Sequence, residues 1–240
     1  MKKHIPNTIT CCNLISGCIA TYWAFNNNYQ LALLFVVIGA VFDFFDGFAA
    51  RLLHVSSNIG KELDSLADDI TFGFAPSAII FAMLRSLNTP ETPLFNCPLV
   101  GQLLPYVAFV MAAFSALRLA KFNLDERQTT SFIGLPTPAN ALFWAALAAT
   151  LPLNTELIPA EAWAVLLIVG VMISSKLLVA EIPMFALKFK TYGFKGNELR
   201  YSFIVFSLIL LAALGITGFS AIIVLYILTS IANNLFNESK

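Results

Sequence analysis

"DFFDGFAARLLHVSSNIGKELDSLADD", residues 43–69, holds six of the chain's fourteen acidic residues inside a sequence that is 58% hydrophobic and 12% charged. Carboxylates gather there while the rest of the chain avoids charge. The surroundings sharpen the contrast: a mean hydropathy of +0.79 over 240 residues is the composition of a polytopic membrane protein, not of a water-soluble globule.

Outward from the acidic stretch, the chain divides into eight apolar runs of roughly 18 to 25 residues, the length an α-helix needs to cross about 30 Å of hydrocarbon. They fall near 8–25, 29–53, 58–87, 100–123, 136–153, 160–181, 199–215 and 218–236, with short loops rich in Asn, Pro, Gly and charge between them. Backbone groups in lipid must bond internally, and no short alternating segments suggest a barrel. The expected fold is therefore all-α, a polytopic integral membrane helical bundle of about eight transmembrane helices. Pro6, Asn7, Thr10 and Asn13 interrupt the first run, so it reads as a retained helix rather than a cleaved signal. Cys11, Cys12, Cys18 and Cys97 have no metal or redox spacing.

The net charge is zero, and no nucleic-acid partner is expected. Distribution is more telling. Lys2, Lys3, Arg51, Lys61, Arg118, Lys121, Arg127, Lys188, Lys190, Lys195, Arg200 and Lys240 fall on one side of an eight-span topology, and Arg85 lies near the other. The positive-inside rule then puts both termini and the acidic stretch toward the cytoplasm, in the cytoplasmic (inner) membrane of the cell.

On the second helix Asp43 and Asp46 lie about 60° apart, with Gly47 and Ala50 continuing their stripe. On the third, Gly60, Asp64 and Asp68 follow at i, i+4 and i+8. An antiparallel hairpin around residues 52–59 turns the two stripes toward each other, so that four carboxylates converge. Like charges in a poorly polarisable setting repel strongly, and hard divalent cations are the natural remedy. Carboxylate oxygens without His or Cys suit Mg2+, Mn2+ or Ca2+, and Mg2+ is commonly shared with substrate phosphates. Gly47, Ala50 and Gly60 leave room for a ligand against the backbone, or alternatively serve helix packing. Arg51 can meet a phosphate with its planar fork.

Written as D-x-x-D-G-x-x-A-R-x8-G-x3-D-x3-D, the positions Asp43, Asp46, Gly47, Ala50, Arg51, Gly60, Asp64 and Asp68 resemble the signature of the CDP-alcohol phosphatidyltransferase family at every fixed position. Further stretches look like its phosphatidylserine synthase branch: "IPNTIT" at 5–10, "GKELDSLADDITFGFAPS" at 60–77, "RLAKFN" at 118–123, "FIGLPTPANA" at 132–141 and, more weakly, "EIPMFALKFK" at 181–190. One departure is Lys121, where the related pattern more often has Arg.

The resemblance implies a membrane enzyme with a six-helix core, usually a homodimer, that moves a phosphatidyl group from a CDP-linked donor to an alcohol and releases CMP. Residues 1–182 would form that core, and 183–240 a cytoplasmic loop with two additional helices. By resemblance Asp43, Asp46, Asp64 and Asp68 bind Mg2+ or Mn2+, and Asp68 is also the general base. Pro6, Asn7, Thr10, Gly47, Ala50, Arg51 and Gly60 would hold the cytidine and diphosphate of CDP-diacylglycerol. For the carboxylate of an L-serine acceptor, or for phosphate, Arg118, Lys121 and Lys188 are the expected receptors, although cations at helix ends also snorkel to lipid head groups. Two rivals stay open: the same chemistry with glycerol 3-phosphate or inositol phosphate as acceptor, and a cation transporter using the same aspartates.

Overall fold

The structure is a computed structural model that describes residues 4–55, 57–89, 93–125, 132–185, 193 and 197–238. Among them the chain forms eight helical rods where the hydropathy pattern predicts eight. They are α1 (His4–Phe25), α2 (Tyr29–Leu52), α3 (Asn58–Ser86), α4 (Pro98–Leu124), α5 (Thr137–Thr150), α6 (Ala160–Val179), α7 (Glu198–Leu214) and α8 (Thr217–Glu238). Six of these, all but α5 and α7, are long and apolar enough to cross a membrane. The remaining two have 14 and 17 residues, about 21 and 26 Å of helix against roughly 30 Å of hydrocarbon. Local chemistry sets their ends: α5 starts after Pro136 and stops before Leu151–Pro152, while Gly215 leaves α7 with φ +56°.

Two rods are not regular α-helix. Residues Asp69–Phe74 of α3 form a π-helical turn, and Leu104–Ala108 of α4 form a 3-10 stretch around Pro105, which has no N–H to donate. A two-stranded antiparallel ribbon joins β1 (Phe132–Ile133) to β2 (Pro183–Met184), pairing Phe132 with Met184 and Ile133 with Pro183.

Small residues let the rods approach closely. Ala20, Ala24, Ala32, Ala75, Ala78, Ala141 and Ala145 are all fully buried, as expected where lipid provides no hydrophobic drive and packing must hold helices together. Outward, Phe44, Leu52, Leu166, Phe206 and Leu208 are more than half exposed, a surface suited to acyl chains and costly in water. The α1–α2 pair packs tightly and is closed by α3, while α4 lies against α6 and α5 against α2, α3 and α8. Across these interfaces Trp144 Nε1 donates to Ser174 Oγ at 3.0 Å and Ser220 Oγ donates to the Phe143 carbonyl at 2.9 Å. A second apolar cluster, Leu135, Met184, Phe203 and Tyr226, joins α7 and α8 to the ribbon.

Candidate active site

The acidic stretch folds as the hairpin its spacing predicts. Leu53 and His54 turn the chain, His54 with φ +51°, and the Ser57 side chain caps α3 by accepting the Gly60 N–H at 3.0 Å. Three carboxylates then meet: Asp43 from α2 and Asp64 and Asp68 from α3 each present an oxygen within 4.8 Å of the others. Asp64 Oδ1 is buried and accepts no hydrogen bond among the described residues. Three hard oxygens with an orphaned lone pair among them fit a divalent cation of the Mg2+ or Mn2+ kind, and among the described residues no Cys or His joins them to offer the sulfur or imidazole that zinc prefers.

Asp46 departs from the expected convergence of four. Its Oδ2 accepts the Thr10 hydroxyl at 2.6 Å, and the residue is buried against α1 rather than joined to the trio. The cause is the first helix, which lies across both stripes and offers its own donors. From the same helix Asn13 Nδ2 donates to Asp68 Oδ1 at 3.1 Å, and the Asn13 carbonyl in turn accepts the Thr71 hydroxyl at 3.0 Å from the π turn. Asp46 remains near enough to act electrostatically on Asp43, Asp64 and Asp68.

Beside the carboxylates opens a cleft of about 250 Å³. Pro6, Asn7 and Thr10 of α1, Gly47 and Ala50 of α2 and Gly60 of α3 all line it, together with Asp46 and Asp64. The sequence reading missed Val55, Ser57 and Lys61, which complete the wall. A Cβ on Gly60 would stand 3.0 Å from Ser57 Oγ and 3.1 Å from Asn7 Oδ1, so a side chain there would push into the cleft wall. Arg51 is exposed and outside the lining, yet its Nη1 lies 3.4 Å from where a Gly47 Cβ would be, which puts the guanidinium along the cleft's Gly47 edge.

A second cleft, about 410 Å³, contains Arg118 and Lys121 of α4, Ile133 of β1, and Leu178 to Glu181 at the end of α6. Arg118 is buried; its Nη1 donates to Thr137 Oγ1 at 3.4 Å and its guanidinium lies 5.5 Å from the Phe122 ring centre. Asp68 is among the groups that act electrostatically on Arg118. Lys121 is exposed at the rim, and Lys188 lies outside the described residues. Lys61 Nζ donates to the Asn123 carbonyl at 3.2 Å and Asn123 Nδ2 to Ser65 Oγ at 2.8 Å, which stitches α4 to α3.

A sequence model of CDP-alcohol phosphatidyltransferases matches residues 3–175. The chain belongs to the CDP-alcohol phosphatidyltransferase family. As a family member with six spanning-length helices, it is a multi-pass membrane protein. Among its relatives, a protein of Bacillus subtilis is 38% identical over 57% of this chain and 70% of its own length. A Helicobacter pylori protein is 34% identical over 57% of this chain and 54% of its own, and a Mycobacterium leprae protein 32% identical over 58% and 44%. All three carry the name CDP-diacylglycerol–serine O-phosphatidyltransferase.

Within this family member, Asn13 and Thr137 are the polar partners that the sequence reading did not assign. Asn13 left a trace, as a polar interruption of an apolar run. Thr137 stands inside the quoted stretch 132–141 with no role of its own there, because its value lies in facing a residue nineteen positions away.

Proposed function

We propose that this phosphatidyltransferase transfers the phosphatidyl group of CDP-diacylglycerol to the hydroxyl of L-serine and releases CMP. The observation that carries the reading is the carboxylate trio, with oxygens within 4.8 Å, set against a cleft lined by backbone-thin Gly47 and Gly60. The names of the relatives supply the acceptor.

Asp43, Asp64 and Asp68, with Asp46 adjoining, would hold Mg2+ or Mn2+. The chemistry such an ion supplies when bound is neutralisation of the diphosphate and of the charge that builds on departing CMP. The α1–α2–α3 cleft holds the cytidine, and Arg51 reaches the diphosphate from its edge. Asn13 fixes one Asp68 oxygen, leaving Oδ2 to take the serine hydroxyl proton. As that proton leaves, the serine oxygen bonds to the phosphorus nearer diacylglycerol; the bond from this phosphorus to the bridging oxygen breaks, and its electron pair departs with CMP. Arg118, backed by Thr137, receives the serine carboxylate in the second cleft, with Lys121 and Lys188 as further cationic receptors.

Residues 1–182 act as the catalytic core and 183–240 as an addition to it; the protein works as a homodimer with its termini and site toward the cytoplasm. Purified protein incubated with CDP-diacylglycerol, Mn2+ or Mg2+ and a panel of alcohols tests the assignment. CMP release that depends on serine is the expected result. Dependence on glycerol 3-phosphate or inositol phosphate would transfer the chemistry to another acceptor, and metal uptake without CMP would mark a transporter.

A further inference from the structure

The last helix lies beyond residue 175, where the family match ends, yet two of its polar side chains are bonded to the segment that follows Glu181 of the Arg118 cleft. Tyr226 Oη donates to the Phe185 carbonyl at 3.0 Å, and Asn234 Nδ2 donates to the Pro183 carbonyl at 2.7 Å. The acceptors are the first residue of β2 and the residue after the strand; β1, the partner of β2, contributes Ile133 to the cleft, and Glu181, two residues before β2, lines it as well. The ribbon is continued by the Gly134 N–H donating to the Ile182 carbonyl at 2.9 Å and the Leu135 N–H to the Leu177 carbonyl at 2.9 Å. Packing reinforces the hydrogen bonds: the Tyr226 ring is buried, 5.0 Å from the Phe185 ring and 5.9 Å from the Phe203 ring. Tyr226 is also an electrostatic neighbour of Arg118.

A strand of two residues has too few ladder bonds to hold its own position. Without α8, β2 and the cleft residues next to it would lose two hydrogen bonds and the Tyr226 ring, and would keep the ribbon and the Phe185–Phe203 ring contact with α7. We infer that α8 is a working part of the acceptor site, with Tyr226 and Asn234 as positioning residues that fix the Pro183–Phe185 segment and, through the ribbon, the wall of the Arg118 cleft. The inference rests on the reading above that this cleft receives the acceptor. Donor binding, by contrast, uses α1, α2 and α3, which make no hydrogen bond to α8 among the described residues.

The test uses full-length Tyr226→Phe, which keeps the ring and removes the hydroxyl, and Asn234→Ala as an independent second variant. In mixed micelles the KM for serine is expected to rise about three- to tenfold in each, the effect of one lost hydrogen bond, while the KM for CDP-diacylglycerol stays within about twofold of wild type. Amide hydrogen exchange over residues 132–135 is expected to quicken in both. Unchanged serine KM and unchanged exchange, or an equal rise in both KM values, would overturn the inference. Faster exchange in a protein whose wild type releases no CMP with serine would instead count against the acceptor reading and leave the anchoring intact.

Discussion

At the scale of single residues, electrostatics makes an unusual demand. Asp43, Asp64 and Asp68 share a space in which their oxygens lie within 4.8 Å, so in metal-free protein each charge opposes the others. Replacing one with its neutral isostere removes that repulsion, and metal-free Asp43→Asn is expected to be about 1–3 kcal/mol more stable than wild type in thermal unfolding. With Mn2+ present the order should reverse. Asp68→Asn is expected to lower serine-dependent CMP release at least about a hundredfold with CDP-diacylglycerol binding largely kept; near-normal turnover would remove Asp68 as the base, and loss of donor binding would make it chiefly a ligand. The i, i+4 spacing of Asp64 and Asp68 was enough to see this stripe in the sequence. The hydrogen bond of Asp46 was not legible there, because it depends on a Thr10 hydroxyl thirty-six positions away, and no local period encodes such a partner.

Among elements, α3 shows what periodicity conveys and what it omits. The run at 58–87 reads as one span, and Asn58–Ser86 is one rod. Hidden within it is the π turn at Asp69–Phe74, a change of hydrogen-bond pattern with no compositional mark. It follows directly on Asp68 and sets Thr71 against α1 and α2, where a Cβ on Gly17 would stand 2.7 Å from the Thr71 Cα and one on Gly39 2.5 Å from its methyl. Backbone atoms cannot move aside as a side-chain tip can. Gly17→Ala is therefore expected to cost about 1–3 kcal/mol, read as a lower thermal midpoint in detergent, and to weaken turnover because Asn13 and Asp68 are held by the same helix contact. The shortfall of α5 was equally hard to read, whereas α7, Glu198–Leu214, has the 17 residues of the run expected at 199–215. The apolar run at 136–153 continues past Thr150, which ends α5, and composition alone does not separate a helix from the apolar coil beside it.

For the whole molecule, the bundle opens two clefts: one among α1, α2 and α3, lined by Asp46 and Asp64, and one around Arg118 beside the ribbon. Hydropathy was sufficient to predict eight rods, since each must hide its backbone polar groups from lipid. It could not predict that α8 returns to hold β2, because that rests on two side-chain hydrogen bonds spanning 41 and 51 positions. A cation bound only by the folded bundle should raise the thermal midpoint, with about 2.7 kcal/mol gained at a hundredfold excess over Kd. Asp64→Asn should show little of that gain, and chelation with EDTA should abolish CMP release in wild type until Mn2+ is restored. The most direct test is Mn2+ binding, measured by electron paramagnetic resonance on purified wild type and on Asp43→Asn, Asp64→Asn and Asp68→Asn. Saturable binding in wild type that weakens at least about tenfold in each variant is the predicted result; affinity unchanged across all three variants would contradict the assignment of these carboxylates as the metal centre.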